Sequence, residues 1–168
     1  LGDVYKRQDT GRLDQVSRGV YTLPEVWEDE FVSIQERYKR GVFALDTALF
    51  LHDLTDRTPH KFHMAFPYGY NTSSPKAAGI LCSCKKEPYY SLGIALVDTP
   101  AGNTVWAYNA EKTLCEILKP ISHTDIQIIT DAFKRYAGRK DKNIPLLSEY
   151  AHQLRVEKRL RPYLEVLL

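Results

Sequence analysis

The chain has 168 residues, of which 43% are hydrophobic and 26% are charged, and its formal net charge is +2 at pH 7. This composition is close to the average of globular domains, so it disfavours disordered and fibrous classes, and the length suits one domain with a small appendage. The total charge does not indicate a nucleic-acid-binding protein by itself, because only a clustered basic patch would do so.

The cysteines and the hydrophobic runs limit where such a protein works. Cys82, Cys84 and Cys115 form an odd and sparse set, whereas disulfide-stabilised secreted domains have an even and denser one. No uninterrupted apolar run approaches the roughly 18 residues that cross a bilayer, and the N-terminus has no signal-peptide pattern. We therefore expect a cytoplasmic protein without a membrane partner.

The N-terminal residues predict a β-hairpin after an irregular start. The first eight residues, LGDVYKRQ, have no periodicity that continues, and they look like a translated adapter in the place of the native N-terminus. The next stretch, GRLDQVSRGVYTLP, alternates apolar residues around the turn-prone sequence Ser17-Arg18-Gly19. A hairpin of this kind resembles the wing of a winged helix-turn-helix, with Arg12 and Arg18 placed to meet DNA phosphates. The alternative is a plain hairpin that docks on the next domain.

Residues 25–40, EVWEDEFVSIQERYKR, predict an amphipathic helix. Its apolar residues recur at spacings of four, three and four, and acidic residues lead while basic residues trail, which complements the helix dipole. The basic end either faces DNA or only stabilises the helix terminus. The apolar positions are Trp27, Phe31, Ile34 and Tyr38.

The stretch from Tyr38 to Pro59 predicts a short buried helix around which the domain is organised. Gly41 follows two basic residues and suits the left-handed position just past a helix C-terminus. Asp46 is then expected to cap a helix of about three turns. The expected buried positions are Leu45, Leu49 and either Phe50 or His52, and the expected breakers are Thr55, Asp56, Thr58 and Pro59.

The middle of the chain predicts strands. Residues Lys61 to Pro67 alternate as a half-buried strand, and the following YGYNTSSPK has the composition of a loop. The runs AGILCSCK, YYSLGIALVDT and TVWAY predict three strands of one antiparallel sheet, and the short connection from Pro100 to Asn103 makes the last two a hairpin.

From Asn109 onwards the period is helical. Asn109 is expected to cap a helix that Pro120 ends, and Gly138 is expected to close the next helix. Two further helices follow. The expected inward residues of the four are Leu114, Ile117, Leu118; Ile126, Ile129, Phe133, Tyr136, Ala137; Leu146 or Leu147, Tyr150, Leu154; and Leu160, Leu164, Leu167, Leu168.

The C-terminal helices carry a cluster of positive charge. Between Lys134 and Arg161 there are nine basic residues against three acidic ones. This excess is typical either of a solvated helical face or of a surface that follows a phosphate backbone. Within the cluster we take Arg139, Lys140 and Arg159 as candidate DNA-binding residues.

No catalytic or cofactor constellation stands out, so the sequence predicts a protein that is not an enzyme and has no cofactor or metal. Cys82 and Cys84 share one face of a strand, but no second metal-binding pair accompanies them. His52 and Asp53 are adjacent on a helix and therefore point in different directions. Asp98, Glu111 and Lys112 are the residues of an alternative, a degenerate metal-dependent nuclease that acts on nucleic acid. In such a site the glutamate and lysine lie two apart on a strand, whereas here they are adjacent.

Several segments together carry a resemblance to a known family. They are GRLDQVSRGVYTLP, DEFVSIQERYKRGVFALDTALFLHDLTDRTP, FHMAFPYGYN, EKTLCEIL, and DAFKRYAGRKDKNIPLLSEYA followed by LRPYLEVLL. From about Gly11 to Leu168 the chain resembles the AbiEi family of antitoxins from type IV toxin-antitoxin systems. The resemblance implies two parts, an adapter-like start with a wing remnant at residues 1–25 and an antitoxin domain at residues 26–168.

The resemblance also implies a function. Members of such a family are cytoplasmic bacterial proteins that repress their own operon by binding operator DNA and that counteract a nucleotidyltransferase-like toxin. In the family, helix-turn-helix elements precede the wing, and LGDVYKRQ stands in that place here, so we expect weakened operator recognition. The expected fold is α+β, with a small antiparallel sheet flanked by helices and an N-terminal wing-like hairpin.

Overall fold

The computed structural model describes residues 14–17, 20–22 and 29–167 of the protein. Strands β1 (Asp14–Ser17) and β2 (Val20–Thr22) pair antiparallel, with Asp14 opposite Thr22. Arg12 and Arg18 lie outside the described residues, so a wing that contacts DNA through them stays a prediction.

The central layer is a five-stranded mixed sheet with helices on both sides, which confirms the expected α+β class. The order of its strands is β5-β4-β3-β7-β6. The strands are β3 (Val42–Phe43), β4 (His63–Pro67), β5 (Leu81–Lys85), β6 (Ile94–Asp98) and β7 (Thr104–Tyr108). The helices are α1 (Glu30–Arg37), α2 (Leu45–Leu51), α3 (Ser73–Ala77), α4 (Ala110–Ile117), α5 (Ile126–Ala137), α6 (Ile144–Gln153) and α7 (Glu157–Leu167), with a 3-10 turn at Pro120–Ser122.

The sheet corrects the prediction of purely antiparallel pairing. β6 and β7 form the predicted hairpin, but β4 runs parallel to β5 and β3 runs parallel to β7. The reason lies in the predicted loop after Pro67, which contains α3 and carries the chain back so that β5 starts beside the start of β4. Parallel neighbours need such a crossover. β5 and β6 therefore lie at opposite edges of the sheet although they are consecutive.

Helix starts follow local side-chain capping. The Asn109 side chain accepts a hydrogen bond from the Lys112 backbone N–H at 2.8 Å, which confirms the predicted cap of α4. Asp29 caps α1 by accepting from the N–H of Phe31 at 3.0 Å. Each of these side chains satisfies a backbone donor that the helix leaves unpaired at its N-terminus.

The central helix is shorter than predicted and begins differently. α2 has seven residues, its N-terminal cap is Ala44, and Asp46 lies inside its first turn rather than at the cap. Leu49 is fully buried, as predicted. Gly41 does not take up the left-handed conformation; a Cβ there would lie 2.6 Å from Cε of Met64, so a close approach explains the glycine.

Two main clusters fill the interior. The helical core lies between α2, α4, α5, α6 and α7, and the second cluster lies between α1 and the sheet. Ile126, which we expected inside, is 63% exposed because α5 turns its first residue to solvent. The largest fully buried side chains of the helical core are Leu49, Leu54, Leu114, Ile117, Phe133, Tyr136 and Leu147.

Candidate nucleic-acid interface

The structure divides the predicted basic surface into paired and unpaired cations. Arg139 belongs to the first group: its Nε and Nη2 donate to the two carboxylate oxygens of Asp141 at 2.9 and 2.8 Å, and its Nη1 donates to the backbone carbonyl of His52 at 2.9 Å. The hydrogen bonds with Asp141 raise the pKa of Arg139. The pKa of Asp141 is lowered by the same contact. Arg139 therefore ties the end of α5 to the end of α2, and three of its five N–H donors are engaged in these contacts.

Arg135 is also engaged. Its Nε lies 2.9 Å from a carboxylate oxygen of Asp131, one turn earlier on α5, and its Nη2 lies 3.8 Å from Asp56. By contrast, Lys140 and Arg159 are exposed and form no ion pair within the part of the chain that the structure describes. Two of the three candidates between Lys134 and Arg161 thus have no ion pair with a described residue, and the third, Arg139, is paired with Asp141.

The candidate cations do not line one common cleft. Arg159 lines a cleft of about 970 Å³, whereas Arg139 lines a separate cleft of about 710 Å³ and Lys140 lines neither. The larger one, which we name the Tyr89 cleft, brings three cations from the α6–α7 connection and the first turn of α7 against a loop between β5 and β6. Its lining residues are Pro88, Tyr89, His152, Gln153, Arg155, Glu157, Lys158 and Arg159.

The charge of the Tyr89 cleft is positive. Arg155, Lys158 and Arg159 are its cations, and Glu157 is its carboxylate. The Glu157 carboxylate lies 3.1 Å from Nδ1 of His152. An excess of positive charge in a concave site raises the local concentration of anions.

A buried lysine holds the opposite wall of the cleft in place. Nζ of Lys112 donates to the backbone carbonyls of Tyr89 and Leu92, both at 2.8 Å, and lies 3.8 Å from the centre of the Tyr108 ring. The Lys112 side chain is 0% exposed, and this burial lowers its pKa to about 8. Glu87 supports the same loop by accepting from the N–H and the hydroxyl of Ser91.

The residues of the nuclease alternative make separate contacts. Glu111 accepts a hydrogen bond from the Tyr136 hydroxyl at 2.5 Å, inside the helical core, whereas Lys112 faces the loop at residues 86–93. Asp98 lies in the smaller cleft with His52, whose Nε2 is 2.8 Å from the Tyr108 carbonyl. Burial lowers the pKa of His52. Neighbours on a helix diverge in direction, and here that sends Glu111 and Lys112 to different partners.

The two strand cysteines do not form a metal-binding group. Cys82 is half-buried and Cys84 is exposed, and both are free thiols. Among the described residues, no group of three or more His, Cys, Asp or Glu side chains could hold a metal ion.

Sequence reasoning missed Tyr89 and Lys112 as parts of one site. Tyr89 stands in the run YYSLGIALVDT, where aromatic and β-branched residues indicate a strand, but β6 begins only at Ile94. Pro88 just before it was the available signal, because proline favours a turn over the middle of a strand. For Lys112 no local signal exists, since a lysine in the first turn of a helix is ordinarily exposed.

Comparison with known proteins adds no assignment: no protein-family model matches the chain, and no curated protein matches it. In the portion of the chain that the structure describes, no helix has both the length and the apolar character that crossing a membrane requires.

Proposed function

We propose that this protein is an AbiEi-type antitoxin and autoregulator, which works in the cytoplasm and counteracts a nucleotidyltransferase-like toxin by binding rather than by catalysis. The observation that carries the proposal is that segments with the resemblance pack against one another. Leu49, Leu114 and Phe133 come from three separate segments of the resemblance and are all fully buried in the helical core. The segments that carry the resemblance thus pack into one unit, as expected for a family domain.

Operator DNA is the second partner in this proposal. Lys140 and Arg159 are exposed cations that suit contacts with phosphates, and Arg12 and Arg18 would add contacts from a wing. Phosphate contacts position a protein on DNA but carry no sequence information, so this surface would supply affinity rather than operator selectivity.

The contacts of Glu111 and Lys112 favour a binding protein over the nuclease alternative. Glu111 is engaged by Tyr136 inside the helical core, and Lys112 is engaged by two backbone carbonyls. A general base or a metal ligand has to reach the reacting atoms, and both side chains are buried. Metal-dependent cleavage of nucleic acid that disappears in an Asp98→Ala variant would contradict the proposal.

Co-expression tests the antitoxin role. The toxin candidate is the protein encoded by the neighbouring gene, and its growth inhibition should be relieved when the present chain is expressed from a second plasmid. The matched control is a Leu49→Ala variant, which should give less relief in proportion to its loss of folded protein. Growth inhibition that continues at full strength, with folded antitoxin present in the cells, would refute the proposal.

A further inference from the structure

An exposed aromatic ring and three cations face one another across the Tyr89 cleft. Tyr89 is 37% exposed, and Nζ of Lys119 lies 5.8 Å from the centre of its ring. Arg155, Lys158 and Arg159 line the same cleft and have no ion pair with any residue that the structure describes. Aromatic rings next to a positively charged groove are the elements with which proteins hold unpaired nucleotides.

The ring is presented on a fixed support. Lys112 donates to the carbonyls at both ends of the short segment from Tyr89 to Leu92, and the Tyr108 hydroxyl donates to the Tyr90 carbonyl at 2.7 Å. Because the backbone is held from inside the domain, ordering the loop adds little to the cost of binding. Lys112 is a positioning residue for this loop, since it touches only the backbone that carries Tyr89.

On the side of the cleft that faces Tyr89, one residue has a backbone conformation that is unfavourable for its type. Arg155 follows the end of α6 with φ of +60°, and the N–H of Val156 returns to the carbonyl of Ala151 at 2.9 Å. This is the position after a helix C-terminus where glycine is preferred, because a side chain is disfavoured in the left-handed region. An arginine there makes the domain less stable than a glycine would, and it places a cation on the cleft.

We propose that the Tyr89 cleft binds single-stranded nucleic acid, with an unpaired base stacked on Tyr89 and the adjacent phosphates held by Arg155, Lys158 and Arg159. The inference rests on the proposed function only in taking nucleic acid as a partner. Duplex DNA does not satisfy the same site, because its bases are stacked on each other and do not offer a face to a protein ring. The three cations on one side of the cleft complement the phosphates of a strand.

Fluorescence anisotropy tests the stacking step with three labelled probes, a short oligothymidylate, an abasic strand of equal length, and a duplex of equal length. The wild-type protein should bind the oligothymidylate about tenfold more tightly than the abasic strand, as expected for one stacked base. Tyr89→Ala should remove that difference, and Tyr89→Phe should keep it. Tyr68→Ala is the matched control, because Tyr68 is 70% exposed and has a lysine 4.9 Å from its ring but lies outside the cleft.

The roles of Arg155, Lys158 and Arg159 are tested with variants that separate an effect on binding from an effect on folding. Arg155→Gly should weaken binding of the oligothymidylate several-fold while raising Tm, so that the weaker binding is not a consequence of unfolding. The double variant Lys158→Gln/Arg159→Gln should weaken binding and reduce its dependence on salt, with each lost phosphate contact removing about 0.7 from the log-log slope for single strands. Lys61→Gln/Lys134→Gln removes the same charge at two exposed lysines outside the cleft and should change the affinity by less than about twofold.

Three results would overturn the inference: equal affinity for the thymidylate and abasic strands, a loss of duplex affinity in Tyr89→Ala equal to its loss of thymidylate affinity, or an equal loss of thymidylate affinity in Tyr68→Ala and Tyr89→Ala. Displacement of the strand by polyglutamate at equal charge would show a site for acidic peptides instead. Displacement by thymidine monophosphate at equal nucleotide concentration would show a mononucleotide site. Relief of toxin growth inhibition is measured separately, so that failure of the stacking step and failure of the antitoxin role are distinguished.

Discussion

The helical core and the loop that carries Tyr89 are held by different forces. In the helical core, apolar side chains from five helices fill the interior, and its largest members are fully buried. The loop at residues 86–93 packs few apolar groups and is held mainly by hydrogen bonds, of which the two from Lys112 are central. Burial of apolar side chains in the helical core raises the free energy of unfolding, whereas hydrogen bonds to the loop backbone fix the position of Tyr89. The predictions below probe this difference, beginning with the largest expected effect.

Leu49→Ala tests how much apolar burial in the helical core stabilises the protein. Leu49 is fully buried in the helical core, so its truncation leaves a cavity and should lower the free energy of unfolding by about 2 to 5 kcal/mol. Thermal and urea melts measure the change. Ile126→Ala is the control, because Ile126 is 63% exposed and its truncation should alter the free energy by less than about 0.5 kcal/mol. Equal melting temperatures for wild type and Leu49→Ala would contradict the burial of this residue.

Acid should destabilise the protein through His63. Burial, and then the nearby charge of Lys85, lowers the pKa of His63 from 6.5 to about 4. Between these two values the unfolded chain binds more protons than the folded protein, so the free energy of unfolding should fall as pH falls from 6.5 to about 4. The contribution should be roughly 1 to 3 kcal/mol, and it should be fully present only above the unfolded pKa.

Denaturant melts across this pH range measure the effect. A His63→Gln variant should lose less stability on acidification than wild type, because it removes the group that gains a proton on unfolding. His60→Gln serves as the control, since it leaves His63 in place. The same pH dependence in wild type and His63→Gln would refute the assignment.

Arg139→Gln sharpens the distinction between a cation that supports the fold and one that binds a ligand. The Arg139 side chain is 29% exposed and donates to both Asp141 and the His52 carbonyl. Its replacement should lower the free energy of unfolding by about 1 to 2 kcal/mol, because a charge-assisted contact between α2 and α5 is lost. The salt dependence of duplex DNA binding should stay unchanged. A smaller slope with unchanged stability would show that Arg139 contacts phosphate after all.

Lys158→Gln/Arg159→Gln should show the reverse behaviour and the smallest effect on folding. Both side chains are exposed, so the free energy of unfolding should change by less than about 0.5 kcal/mol. If they contact duplex phosphates in the proposed autoregulator, the log-log slope of affinity against salt should fall by about 0.9 for each lost contact. Urea denaturation measures the free energy of unfolding, and DNA titrations at several salt concentrations measure the slope. A large loss of stability with an unaltered slope would place these residues in the fold instead.

The sequence by itself determined the parts of this protein that depend on near neighbours. Helical periodicity predicted the burial of Leu49, Phe133 and Leu160, and the chemistry of a capping side chain predicted the start of α4 at Asn109. The short connection after Asp98 predicted the pairing of β6 with β7. These features follow from contacts within a few residues along the chain, which composition and spacing record.

Only the tertiary structure decided the features that join distant segments. The sheet is mixed because α3 reverses the path between β4 and β5, and a short polar segment such as SSPKA does not display helical periodicity. Arg139 reaches the His52 carbonyl across 87 positions, and Lys112 reaches the Tyr89 carbonyl across 23. A basic residue on a helix has the same local pattern whether its donors meet a backbone carbonyl or solvent. The difference is decided by which loop the folded chain brings to that side chain.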